Sequence, residues 1–140
     1  LHVLPRIDET EIVALMRNAH ALIATARTEG FGLTPMEAIM VGTPALVVSD
    51  CGFTHTITDG WNGRRLPWPD TREGLEQWVE AIEQAGDEAN RAAWSKAGRE
   101  RILSRFTANH QAEGLARCFA AMGVDVETTE LEMLPGLDPA

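Results

Sequence analysis

The residues best suited to chemistry in this 140-residue sequence fall in one short stretch, Glu29-Gly30-Phe31-Gly32-Leu33-Thr34-Pro35-Met36-Glu37. Gly30 and Gly32 lack Cβ atoms where the chain leaves an apolar run, so backbone N–H groups there can approach a ligand closely. A helix begins just beyond, and its first N–H groups and positive dipole end face the same space. Such a turn suits a phosphate or a set of sugar hydroxyls. Glu29 at the loop entrance offers two acceptor oxygens to a hydroxyl pair. Glu37 has two readings. Thr34-Pro35-Met36-Glu37 fits a capping box with proline at the first helical position, in which Glu37 accepts from the Thr34 backbone N–H. The other reading is a carboxylate turned towards a ligand.

Two rival chemistries are disfavoured. Gly-x-Gly before a helix is a weak signal by itself, and Pro35 stands where a dinucleotide signature needs its third glycine, which argues against a nicotinamide or flavin dehydrogenase. Glu29 and Glu37 as a glycosidase acid and nucleophile would have to face each other across a bond. One lies on a loop and the other within a helix, so their spacing gives no such arrangement.

The elements that position this segment follow from apolar spacing. Asp8 to Asn18 carries Ile12, Val13, Leu15 and Met16 at helical intervals, with Asp8 or Thr10 as N-cap. Ala21-Leu22-Ile23-Ala24 is a continuous apolar run, expected as a strand covered on both faces. A helix is expected from Pro35 to about Val41, stopped by Gly42. Ala45-Leu46-Val47-Val48 reads as a second buried strand. Helix, strand, loop, helix, strand is the order of an α/β fold: a Rossmann-like parallel sheet with flanking helices. Such sheets bind ligands beyond the carboxyl ends of their strands, so the loops after Ala24 and Val48 share one functional rim.

Beyond them, Asp59-Gly60-Trp61-Asn62-Gly63 is a turn cluster before a short strand around Arg64-Arg65-Leu66. Asp70 or Thr71 caps a helix with Leu75, Trp78, Val79 and Ile82 spaced as one apolar face. Helices are expected from about Asp87 to Ser104, with Trp94, Ile102 and Leu103 inward, and from Thr107 to Met122. The tryptophans and phenylalanines of this part read as core.

Composition adds bounds. Of the net charge of −9, five charges come from Asp125, Glu127, Glu130, Glu132 and Asp138, with no Lys or Arg among residues 125–140. The body is therefore an ordinary surface, and an acidic balance without basic clusters argues against nucleic acid. No apolar run is long enough for a membrane span, and no charged and apolar leader opens the sequence. A soluble cytoplasmic protein, or one peripheral to a membrane, is the expectation. Cys51 and Cys118 are expected reduced, with Cys118 a buried thiol. Cys51 and His55 have helical zinc-ligand spacing but no further Cys or His nearby, and no metal site is expected. Arg64 and Arg65 read as strand-edge surface charge.

The two glutamates separated by seven residues, in the setting Glu-Gly-Phe-Gly-Leu-x-x-x-Glu-Ala, resemble the donor-site motif of retaining GT-B glycosyltransferases. These form the large family 4 group that includes glycogen, sucrose and lipopolysaccharide-core enzymes. Val41-Gly42-Thr43-Pro44-Ala45-Leu46-Val47 resembles the family's Gly-Thr-Pro-Val turn and strand, and Asp59 to Gly63 its Asp-Gly-x-Asn-Gly turn. Cys51-Gly52-Phe53 through His55 is similar to the Cys-Gly-Tyr-Ala-His stretch of lipopolysaccharide core glucosyltransferases. The resemblance covers about residues 1–122.

It implies a nucleotide-sugar-binding domain over residues 1–123, the C-terminal part of a GT-B fold, followed by an acidic, flexible tail over 124–140. Glu29 would hold donor-sugar hydroxyls and stabilise the developing oxocarbenium charge. Backbone N–H groups around Gly30, Phe31, Gly32 and Leu33 would contact sugar and diphosphate, Thr34 would offer its hydroxyl to the diphosphate, and Glu37 would take the ribose hydroxyls. The donor would be an NDP-sugar, in the first instance a UDP-sugar, with no metal and no cofactor. The absence of an Asp-x-Asp cation motif agrees with this. The acceptor would be a glycan or a lipid-linked acceptor. Thr25 and Ala26 replace a frequent Pro-Ser, and Gly52-Phe53 a frequent Gly-Gly, which bears on the sugar held. The family's acceptor domain, first donor-domain strands and diphosphate-gripping Arg/Lys pair are expected upstream, from a further domain or a partner chain. An inactive nucleotide-sugar-binding or regulatory module is the alternative.

Overall fold

The computed structural model describes residues 2–4 and 6–124, and the acidic tail lies outside them. The chain divides into two compact units, residues 1–102 and residues 103–140. In the first unit the order is α1 (Glu9–Asn18), β1 (Leu22–Ala24), α2 (Leu33–Met40), β2 (Ala45–Val48), α3 (Phe53–Thr56), β3 (Gly63–Leu66) and α4 (Arg72–Gly86). Next comes α5 (Glu88–Arg105), whose last turn carries the chain into the second unit. The strands form one parallel sheet in the order β1-β2-β3, as the alternating pattern predicts.

Local signals set most helix starts. Asp8 caps α1, accepting from the Glu11 N–H at 2.8 Å, while the Glu11 carboxylate accepts from the Asp8 N–H at 3.1 Å. This reciprocal box satisfies two of the donors that any helix leaves unpaired at its start. Thr71 does the same for α4, accepting from the Gly74 N–H at 3.0 Å.

The core lies around β2, whose four residues are all buried, together with Ala38 and Ile39 of α2, Phe53 of α3, Ile57, and Leu66 of β3. Each such aliphatic side chain contributes about 1.5–3 kcal/mol on burial. β1 departs from expectation. It has a partner on one side only, and Ile23 is 51% exposed, so this strand is not covered on both faces.

Which helical face turns inward also differs in α4. Trp78 is buried, but with Gly74, Ala81 and Ala85, whereas Leu75, Val79 and Ile82 are exposed. The reason is close approach. A Cβ on Gly74 would lie 2.6 Å from the Trp68 carbonyl, and the Trp78 indole N–H donates to the Pro67 carbonyl at 2.8 Å. The helix seats Gly74 and Trp78 against the loop after β3, and the bulkier stripe is left outside. In α5, Trp94, Gly98 and Ile102 are buried as expected of Trp94 and Ile102. Leu103, one residue further round the helix, is exposed.

The Asp59–Gly63 turn is built on Asn62, which is fully buried. Its carboxamide accepts from the Thr58 N–H at 2.7 Å and donates to the Thr56 carbonyl at 3.1 Å. Asn62→Ala is expected to lower the unfolding free energy by about 2–3 kcal/mol, because both backbone groups lose their partner in a dry site. A urea melt measures this, and a loss below about 0.5 kcal/mol, the size of an ordinary surface change, overturns it.

The described part of the second unit contains α6 (Ala108–Ala121), capped by Thr107. No residue of α6 is buried, and Cys118 is exposed, not the buried thiol expected. Among the described residues of this unit, α6 has no second layer to bury a face against. Among the described residues, no helix is long and apolar enough to cross a membrane.

Candidate functional site

The Glu29–Glu37 segment lies where the alternation places it, from the carboxyl end of β1 into α2, and its local geometry tests the capping reading of Glu37. The helix begins at Leu33, two residues earlier than the proline suggests. Gly32 is its N-cap, in the left-handed region at φ 89°, with no side-chain cap hydrogen bond. Thr34 is therefore the second helical residue, and the Thr34/Glu37 capping box does not form. Pro35, in the first turn, is tolerated because no acceptor waits for its missing N–H. Glu37 is exposed on α2 and makes no hydrogen bond or ion pair among the described residues.

The structural role sought for Glu37 falls to Glu29 instead. Its Oε1 accepts from the backbone N–H of Gly32 at 3.1 Å and of Phe31 at 3.3 Å. One carboxylate oxygen thus ties down the loop, while Oε2 has no partner among the described residues. The N–H groups of Phe31 and Gly32, expected to face a ligand, are turned onto Glu29 in this structure. The N–H groups of Leu33 and Thr34 remain as first-turn donors without an intrahelical acceptor. Leu33 and Thr34 are exposed, and Gly30 is exposed with nothing within 4 Å of an added Cβ.

The loop after β2 supports this turn from below. The Gly52 N–H donates to the Glu29 carbonyl at 2.9 Å, and a Cβ on Gly52 would lie 2.4 Å from the Phe31 nitrogen. Phe53 is buried beneath Gly32, its Cδ1 2.8 Å from where a Cβ on Gly32 would stand. Cys51 holds a positive φ of 56° and donates from Sγ to the Arg27 carbonyl at 3.3 Å. The sequence places this stretch on the rim, in a resemblance and as a Cys51/His55 pair set aside as zinc ligands, but not as the support of the Glu29 turn. Its one local signal was Gly52 directly after Asp50-Cys51, in the loop sharing the rim.

On the other side, Glu37 lines an open apolar cavity of about 690 Å³ between α1 and α2, with Ile12, Val13 and Met16 on one wall and Leu33 and Met36 on the other. Arg64, read as surface charge, is paired: it donates to Asp59 at 3.0 Å and to Gln84. Among the described residues, no group of three or more His, Cys, Asp or Glu side chains could hold a metal ion.

A family profile described as "Family 4 Glycosyltransferase in conflict systems" matches residues 6–126. The chain belongs to this glycosyltransferase family. It is similar to the alpha-1,3/1,6-mannosyltransferase alg-2 of Neurospora crassa, 30% identical over 112 residues that make up 77% of this chain and 23% of that protein. The family 4 chain spans about a quarter of the length of the curated relatives it matches. Its fold is that of GT-B glycosyltransferases. It superposes on sucrose-phosphate synthase from Thermosynechococcus elongatus with a TM-score of 0.68 at 23% identity, over 86% of this chain and 29% of that one. With the C-terminal domain of a group 1 glycosyl transferase (LpcC) from Francisella tularensis the TM-score is 0.59 at 18% identity, over 77% and 53% of the two chains. These partial coverages agree with a C-terminal portion of a GT-B enzyme.

Proposed function

We propose that this family 4 chain is the donor-binding portion of a retaining, metal-independent glycosyltransferase that moves a hexose from a nucleoside diphosphate sugar to a glycan or lipid-linked acceptor. The observation that carries the proposal is the state of Glu37. Because Gly32 caps α2, helix capping has no use for this carboxylate, and it lines the cavity between α1 and α2 without a partner among the described residues. An exposed carboxylate at the edge of an apolar cavity suits a ligand that brings hydroxyls to it, as a ribose would.

The remaining parts fit the same donor. Glu29 is anchored through Oε1, which leaves Oε2 to accept from sugar hydroxyls. As the bond from the anomeric carbon to the diphosphate lengthens, positive charge grows on the sugar ring and negative charge on the leaving group. The Glu29 carboxylate offsets the first charge. The Leu33 and Thr34 N–H groups, with the dipole of α2, offset the second. Ile23 of β1 and Leu15 of α1 are exposed apolar residues that a further portion of the enzyme would cover.

Calorimetry with UDP-, GDP- and ADP-sugars tests the proposal, which fails if none binds at about millimolar concentration, near −4 kcal/mol. Glu37→Gln separates ligand binding from structure. It is expected to weaken nucleotide binding about tenfold while leaving the melting temperature unchanged, since no intramolecular bond is lost. Unchanged affinity would remove the ribose role.

A further inference from the structure

We propose that Arg27 and Trp68 form a phosphoryl-binding subsite on the rim, distinct from Glu29 and Glu37. Arg27 lies in the loop after β1, two residues before Glu29, and is exposed. Its guanidinium stands 4.5 Å from the ring centroid of Trp68, which comes from the loop after β3. Its carbonyl accepts from the Cys51 thiol at 3.3 Å, in the loop after β2. All three rim loops therefore meet at this one residue. Backbone and side chain are each held by a different neighbour.

A contact over the face of an indole holds a guanidinium without using its N–H donors. The result is a cation held at the rim with its donors free. The ion pairs among the described residues use Arg64, Arg72 and Arg117, and Arg27 meets no carboxylate among those residues. The acids flanking it on the rim are engaged within their own loops. Glu29 accepts through Oε1 from the Phe31 and Gly32 N–H groups, and Asp50 accepts from the Cys51 N–H at 2.7 Å. A guanidinium held this way matches phosphoryl oxygens, which it can grip with two parallel hydrogen bonds. The phosphoryl group would come either from the diphosphate of a donor or from a phosphorylated acceptor. Only this choice of source depends on the donor reading above.

The test is titration of the full chain with inorganic pyrophosphate, followed by calorimetry and by the NMR resonance of the Arg27 side-chain Nε–H. Saturable binding is expected, with a shift of that resonance. Arg27→Gln is expected to weaken it about tenfold, and Trp68→Leu, which keeps the charge but removes the ring that holds it, about threefold. Arg27 is exposed, so Arg27→Gln should melt as the parent does, and it decides the question even if Trp68→Leu unfolds. Absence of saturable binding, or equal binding by Arg27→Gln, overturns the proposal. UDP, uridine and a hexose phosphate then assign the source. A loss confined to UDP over uridine marks the donor diphosphate, and a loss confined to the hexose phosphate marks the acceptor. Arg27-dependent pyrophosphate binding with no nucleotide binding at all would remove the donor reading and leave the subsite standing.

Discussion

Gly52→Ala is expected to be among the most damaging single methyl groups that can be added to this protein. The residue sits at φ −59° and ψ −22°, a conformation alanine adopts freely, so backbone strain plays no part. The cost is steric. The new Cβ would stand 2.4 Å from the Phe31 nitrogen and 2.5 Å from both the carbonyl carbon and oxygen of Gly30. All three are backbone atoms of the loop that carries Glu29, so no side chain can swing aside. The two loops must separate, and the hydrogen bond from the Gly52 N–H to the Glu29 carbonyl is lost with them.

A loss of about 3 kcal/mol in unfolding free energy is the expected scale for forced overpacking of this kind. In a unit of this size that corresponds to a fall of roughly 10–20 °C in melting temperature. Gly30→Ala is the matched control, because a Cβ there meets nothing within 4 Å. Differential scanning calorimetry of the pair checks the claim. Equal melting temperatures would mean that the two loops are not in contact.

Glu29 is expected to give the largest effect on catalysis, and two substitutions divide its two roles. Glu29→Gln keeps an oxygen able to accept from the Phe31 and Gly32 N–H groups, so the loop and the melting temperature should hold. It removes the negative charge that would face the developing oxocarbenium ion, and turnover by the complete enzyme should fall about 10²–10³-fold, the scale seen when one preorganised electrostatic contact is deleted. Glu29→Ala removes the acceptor as well. It should lose turnover to at least the same degree and destabilise the protein by about 1 kcal/mol, as loss of a capping side chain does. Steady-state kinetics with thermal melts reads both. A Gln variant that turns over at the parental rate would confine Glu29 to holding the loop.

The fold class was legible in the sequence because parallel α/β order leaves a strong trace. Two short apolar runs, Leu22–Ala24 and Ala45–Val48, alternate with segments of helical period, and the parallel sheet follows. Capping chemistry was legible in part: Asp8, offered beside Thr10, and Thr71, offered beside Asp70, each act on a backbone N–H three residues away. The inward face of α4 was not legible. Leu75, Trp78, Val79 and Ile82 all belong to one apolar stripe by period, but contact with the loop after β3 selected its Gly/Ala/Trp side. Hydropathy ranks side chains by transfer from water and carries no information on how closely two backbones must approach.

For the site, the sequence by itself determined the family, the segment and the two carboxylates, since the Glu29–Glu37 spacing and the turns around it are short-range features. Only the tertiary structure decided which backbone groups each carboxylate meets. A left-handed Gly32 starts the helix early, which releases Glu37 from capping, while Glu29 ties down the loop before it. It also decided which residues share the rim. Gly52 beneath Glu29, and Trp68 and Cys51 around Arg27, are distant in the chain and carry no common motif. Such contacts arise from the side-by-side registration of three strands, because loops leaving the same edge of a parallel sheet are brought together whatever their own sequences are.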